Sequence, residues 1–162
     1  MNYDFKKILY VTDLSEKAEY AFGYAYSIAK RFSGKINVLH VIEGSSGGAY
    51  PLASTILGES KWKELIEKNK QSALDAIKQR ISDSCSVMCS DADFSEYVED
   101  VVVTFGSAEN VILGMVDKQQ FDLVIIGAHA VTAVGKALLD YTARHVVRQC
   151  TKPVLIIHLP ND

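Results

Sequence analysis

Four short stretches of this chain carry residue types that could bind or react. Asp13 ends the apolar run Ile8–Thr12. Ser107 follows Gly106 where another apolar run stops. His129 lies two residues beyond the aliphatic stretch Asp122-Leu-Val-Ile-Ile-Gly127, inside a loop of small residues from Ala128 to Gly135. Asp140-Tyr141-Thr142 opens a helical pattern that runs to Gln149. Two carboxylates, an imidazole, hydroxyls and the free amides of a helix start hold hydroxyls, amines or anions by hydrogen bonding. Where a strand leaves its sheet, Asp13 could accept hydrogen bonds from a ribose or an adenine amine. Equally, it could order its own turn, Thr12-Asp-Leu-Ser15, through side-chain to backbone bonds. Asp140 heads a helix, where carboxylates are good caps and anions otherwise collect.

Bond-breaking chemistry is harder to assemble. The phosphate-binding loop GxxxxGK followed by Ser or Thr fails at both ends, since Gly135-Lys136 has Ala130 at the required distance before it and Ala137 after it. Gly44-Ser-Ser-Gly-Gly48 contains no GxGxxG and leads into more loop. A phosphorylation receiver needs an acidic cluster after its first strand and an aspartate after its third; here one aspartate and Thr104 stand there. No nucleophile flanks His129, whose plainer role is solvent-facing or helix-capping. His40 interrupts an apolar strand and reads as a hydrogen-bonded core residue. His145 and His158 carry no signal, and the four histidines show no metal-ligand spacing. The pattern points to binding and not to catalysis.

The elements that must position these residues follow from periodicity. Ile8–Thr12, Ile36–Ile42, Val98–Thr104, Leu123–Ile126 and Val154–Ile157 read as strands, and the unbroken aliphatic runs among them, Leu123–Ile126 and Val154–Ile157, are expected for strands buried on both faces. Between them lie helical patterns. The first has Ser15 as a candidate cap, keeps a helical period from Ala18 to Phe32, and stops at Gly34. The second is expected from Ser60 to about Ser82 with Trp62, Leu65, Ile66, Ala73, Ile77 and Ile81 inward. Ser84–Ser95 reads as polar turn. The third starts at a Ser107 cap and carries Val111, Ile112, Met115 and Val116, and the last is Asp140–Gln149. Five strands alternating with four helices specify an α/β doubly wound parallel sheet with helices on both faces. Periodicity leaves two strand orders open, 2-1-3-4-5 and 3-2-1-4-5. Ligands of either sheet sit outside the carboxyl ends of the strands, so the loop after Gly127 is the first place to look.

At 162 residues the chain is expected to be one domain, long enough to bury its core without disulfides. A net charge of −3 gives no electrostatic reason to expect nucleic acid or an anionic membrane as partner. The N-terminus lacks an apolar signal core, and no run approaches the roughly 20 residues of a spanning helix. A cytoplasmic location is expected. Cys85 and Cys89 flank three residues, which is not the CxxC spacing, and with Cys150 they read as small buried or half-buried thiols.

Taken in order and spacing, several of these segments resemble the universal stress protein family over essentially the whole chain. Lys7-Ile-Leu-Tyr-Val-Thr-Asp-Leu-Ser15 is similar to the family's first strand and turn, and Leu39-His-Val-Ile42 to its second strand. Gly106-Ser-Ala is similar to the turn into its third helix, Asp122–Gly127 to its fourth strand, and Thr151-Lys-Pro-Val-Leu-Ile-Ile157 to the approach to its last. The resemblance implies a Rossmann-like sheet of order 3-2-1-4-5 and a homodimer formed through the last strand, Val154, Leu155, Ile156 and Ile157. That strand is apolar and lies at a sheet edge in the implied order, where an uncovered strand pairs or aggregates.

The family divides into members that bind ATP and members that do not. Binders carry a glycine, two residues, a second glycine, nine residues, then Gly-Ser or Gly-Thr. Here the first is Gly127, the second falls on Ala130, and the closing pair falls on Asp140-Tyr141. Asp13 and Val41 match positions that contact the nucleoside half; Ser107, Gly127 and His129 complete the candidate site. Alanine in place of a glycine loses roughly 1 kcal/mol wherever φ must be positive. The Asp140 carboxylate can satisfy the helix amides itself, occupying a phosphate's place and repelling one, while Tyr141 could fill the remaining volume. The expectation is a non-catalytic homodimeric stress-response protein with weak or no ATP binding, acting on protein partners or another ligand. The alternative is an ATP-dependent switch in which Asp140 turns outward or helps hold magnesium.

Overall fold

The apolar runs form the strands of one sheet, and the helical patterns cover it. In the computed structural model these elements are β1 (Lys7–Val11), α1 (Ala18–Phe32), β2 (Lys35–Ile42), α2 (Glu59–Met88), β3 (Val98–Phe105), α3 (Ala108–Gln119) and β4 (Leu123–Ala128). After them come β5 (Val131–Ala133), β6 (Lys136–Leu138), α4 (Tyr141–Gln149) and β7 (Val154–His158). The structure describes residues 4–15, 17–43, 55–88, 96–129, 131–133, 136–138 and 140–160.

The five-stranded sheet has the order β3-β2-β1-β4-β7 with every pairing parallel. Of the two orders left open by periodicity, this is 3-2-1-4-5, with β7 as the fifth strand. Alternate residues of each strand point to opposite faces, so one sheet builds two cores. Ile8, Tyr10, Ile36, Val38 and Ile125 pack with Phe22, Ala25 and Ala29 of α1 and with Ile77 and Ile81 of α2. Leu9, Leu39, Val124 and Ile126 pack with Ile112 and Val116 of α3 and with Ala143 and Val146 of α4. The Asp122 carboxylate ties the strand starts together, accepting from the Lys6 and Lys7 amides at 3.0 and 2.8 Å.

Several local expectations need correction. The stretch expected as loop after Ala128 contains an antiparallel hairpin, β5–β6. The helix expected to end near Ser82 continues to Met88, into the segment expected as turn. Only Ile77 and Ile81 of its six inward candidates are buried, and Leu65 is 41% exposed. The reason is geometric: thirty residues of helix span about 45 Å, while a strand of five to eight residues spans about 17–27 Å. The first half of α2 outruns the sheet it would pack on.

Caps differ too. Lys17, not Ser15, holds the N-cap position of α1, and the Ser107 hydroxyl makes no cap bond although Ser107 occupies the N-cap of α3. At the C-terminus of α1 the left-handed residue is Ser33, with φ 50°. Gly34 is needed for closeness instead: a Cβ there would lie 2.3 Å from the Phe5 carbonyl oxygen. Cys150 is a half-buried free thiol, whereas Cys89 and the Cys85 side chain lie outside the described residues. Among the described residues no helix is long and apolar enough to cross a membrane.

Candidate functional site

Three strand exits and one helix start converge at the carboxyl end of the sheet. At the exit of β1 the chain turns through Leu14, whose φ is 63°. Two side chains hold that turn: Asp13 Oδ1 accepts from the Ser15 amide at 2.9 Å, and Thr12 Oγ1 accepts from the Leu14 amide at 3.2 Å. Asp13 therefore orders its turn and also lines the crevice. At the exit of β4, His129 Nε2 donates to Asp13 Oδ2 at 3.1 Å, with both side chains about half exposed. Burial pushes the Asp13 carboxyl up, but hydrogen bonds from Ser15 and His129 outweigh it and leave the group below its ordinary range.

On β2, His40 is half-buried and hydrogen-bonded, its Nδ1 donating to the Thr12 carbonyl at 2.9 Å. Because a carbonyl only accepts, the proton of a neutral ring is on Nδ1. At the start of α4, Asp140 has extended backbone, and its Oδ1 accepts from the Ala143 amide at 2.8 Å. The Asp140 carbonyl accepts from Arg144. Of the first three helix amides, that of Ala143 is taken by the Asp140 side chain.

These exits enclose a crevice of about 420 Å³, within the range of small-molecule sites. Val11, Val41, Ile126 and Ala108 supply its apolar walls. Asp13, Glu43, Asp140 and Thr142 supply polar groups, and Gly127 is part of its wall. Of the residues expected from sequence, Asp13, Val41, Gly127 and Asp140 are thus brought together. His129 joins them through Asp13, and Ser107 is next to Ala108. Tyr141 does not fill the crevice: the residue is 62% exposed and its ring lies beside His145, centroids 5.9 Å apart. Ala130 lies outside the described residues. Glu43 and Thr142 were missed, although Glu43 directly follows the second strand, a position the strand-end rule singles out. Among the described residues no group of three His, Cys, Asp or Glu side chains is placed to hold a metal ion.

Comparison with known proteins places this geometry. The model of the universal stress protein family matches residues 4–158. Universal stress protein MJ0577 of Methanocaldococcus jannaschii is 25% identical over 173 aligned positions, covering 100% of both chains. A putative universal stress protein of Staphylococcus saprophyticus is 26% identical, over 98% of this chain and 88% of its own. Among solved structures, universal stress protein UspA from Lactobacillus plantarum superposes with a TM-score of 0.72 at 22% identity, covering 96% of this chain and 99% of that one. A universal stress protein in complex with cAMP gives 0.60 at 15% identity, over 96% and 98%. At such identities the structural matches carry the fold alone.

Proposed function

Because this chain belongs to the universal stress protein family, matched over residues 4–158, we infer that it is a non-catalytic stress-response protein. It acts as a single-domain homodimer that binds a partner or small ligand, with weak or no affinity for ATP. One observation carries the reading: the Asp140 carboxylate caps α4 through Ala143 at 2.8 Å and lines the crevice. A helix start without such a side chain offers its amides and its positive dipole end to an anion. Here the protein's own carboxylate takes one amide and presents negative charge beside the rest. Dimerisation draws support from β7, an edge strand with half-buried Val154, Leu155 and Ile156. Absence of turnover draws support from the histidines: His40 is engaged with a backbone carbonyl and His129 with Asp13, and among the described residues neither is bonded to a serine, threonine or cysteine side chain.

A second reading, a nucleotide-dependent switch, rests on the crevice itself, which is open and keeps Asp13, Val41 and Gly127 on its wall. The related fold described in complex with cAMP belongs to the same argument. Thermal unfolding with millimolar Mg-ATP separates the two. A ligand that binds only the native state must raise its melting temperature. No shift is expected, and stabilisation by several degrees establishes the switch instead.

A further inference from the structure

The crevice holds more negative charge than Asp140 alone. Its described lining contains three carboxylates, Asp13, Glu43 and Asp140, and no lysine or arginine. Asp13 is engaged by Ser15 and His129, and Asp140 by Ala143. Glu43, exposed at the exit of β2, has no ion-pair partner among the described residues. His40 also lines the crevice, with its Nδ1–H committed to the Thr12 carbonyl. The side chains of this site therefore mostly accept hydrogen bonds, beside the apolar wall of Val11, Val41 and Ile126. Their complement is a molecule with an apolar face, several O–H or N–H donors and no negative charge.

We propose that Glu43 acts with Asp140 as a specificity-determining pair, so that the crevice admits an uncharged, donor-rich ligand of nucleoside size and turns away its phosphorylated forms. The proposal rests on the reading of this crevice as the protein's small-ligand site, and it names the ligand class that follows. Two carboxylates, one just beyond β2 and one just before α4, line the same space and oppose an anion there. Neither opposes a neutral hydroxyl or amine, which either carboxylate can accept from.

Adenosine, cAMP and ATP share one heterocycle and differ in negative charge, so calorimetric titration with each in magnesium-free buffer tests the proposal. In the wild-type protein adenosine binds most tightly, cAMP less and ATP least, and 0.5 M salt narrows the differences. Glu43→Gln, an exposed change that leaves the core alone, raises the cAMP-to-adenosine affinity ratio by about two- to fivefold, the range expected of an exposed charge pair. Three results overturn it. ATP binding as tightly as adenosine also removes the non-nucleotide reading above. Failure of all three to bind removes this inference and leaves that reading standing. An unchanged ratio in Glu43→Gln, with adenosine bound, removes Glu43 from selectivity.

Discussion

Gly127 of β4 lies against Leu159, the residue after β7, so closely that a Cβ on Gly127 would stand 3.1 Å from Leu159 Cδ2. The same Cβ would stand 3.2 Å from the Ala21 Cβ of α1. Left-handed backbone is not what demands glycine here, since the described glycines with positive φ are Gly58 and Gly106. Close packing of α1 and the chain beyond β7 over the end of β4 demands it. The residue that borders the crevice on one side thus closes the core on the other.

Gly127→Ala should therefore be read out as lost stability. Leu159 can shift, but the Ala21 Cβ is fixed to a buried helix, and overpacking of this kind costs about 1 kcal/mol or somewhat more. For a domain of this size that is a fall of about 2–4 °C in melting temperature, measured by calorimetry. An unchanged or higher melting temperature would show that the contact is slack.

Substitutions at Asp140 separate the cap from the charge. Asp140→Ala removes the bond to Ala143 and is expected to cost about 1 kcal/mol by urea denaturation. Asp140→Asn keeps a good cap and should stay within about 0.5 kcal/mol of wild type while losing the negative charge. The double change Asp140→Gly with Tyr141→Ser should gain ATP affinity in a titration of the folded variant. Tyr141→Ser alone should gain nothing, because that ring already lies outside the crevice. Equal affinity in the double variant and wild type would place the defect elsewhere.

Asp13 sets an acid dependence whose sign can be worked out. Its folded-state pKa is lowered, so the folded state holds the ionised form better than the unfolded chain does. The resulting stabilisation is complete above the unfolded value near 4 and disappears as pH falls through the lower folded value. Both Asp13 and His129 are about half exposed, so the effect is screened and modest. Denaturation midpoints of Asp13→Asn between about pH 5 and 2.5 should fall less steeply than those of wild type. Parallel curves would mean that the turn is held by Thr12 alone.

The edge strand gives a test of assembly. Ile156 is half-buried on β7, a strand paired on one side only, with β4. Replacing an apolar edge residue with lysine is a device by which proteins keep sheet edges from pairing. The wild type is expected to run as a dimer by light scattering at micromolar concentration, and Ile156→Lys as a monomer. A dimer that survives the change would move the interface off β7.

Much of this architecture was legible because buried strands and amphipathic helices write their periods into the chain. Ile8–Thr12, Ile36–Ile42 and Leu123–Ile126 announce themselves as largely apolar strands, and Ala18–Phe32 as a helix, without any knowledge of neighbours. Asp13 and Asp140 were locatable for the same reason, since strand ends and helix starts are local features. Resemblance then chose between two strand orders, a choice periodicity cannot make because a strand's pattern does not depend on which strand lies beside it.

What the tertiary structure decided involves residues far apart in the chain. Strands of three residues, Val131–Ala133 and Lys136–Leu138, are too short to establish an alternation, so the hairpin passed for loop. Leu65 has the helical spacing of a core residue but no sheet beneath it, and a one-dimensional pattern cannot register the end of a sheet. Likewise Asp13 meets His129 only because β1 and β4 are neighbours, and Glu43 shares a crevice with Asp140 only because β2 lies on the other side of β1. The chain alone determined which segments form the five strands of the main sheet and the four helices, through local hydrophobic period. Which ends meet, and hence the charge a ligand encounters between them, depends on lateral strand pairing, a long-range choice settled only when the core packs.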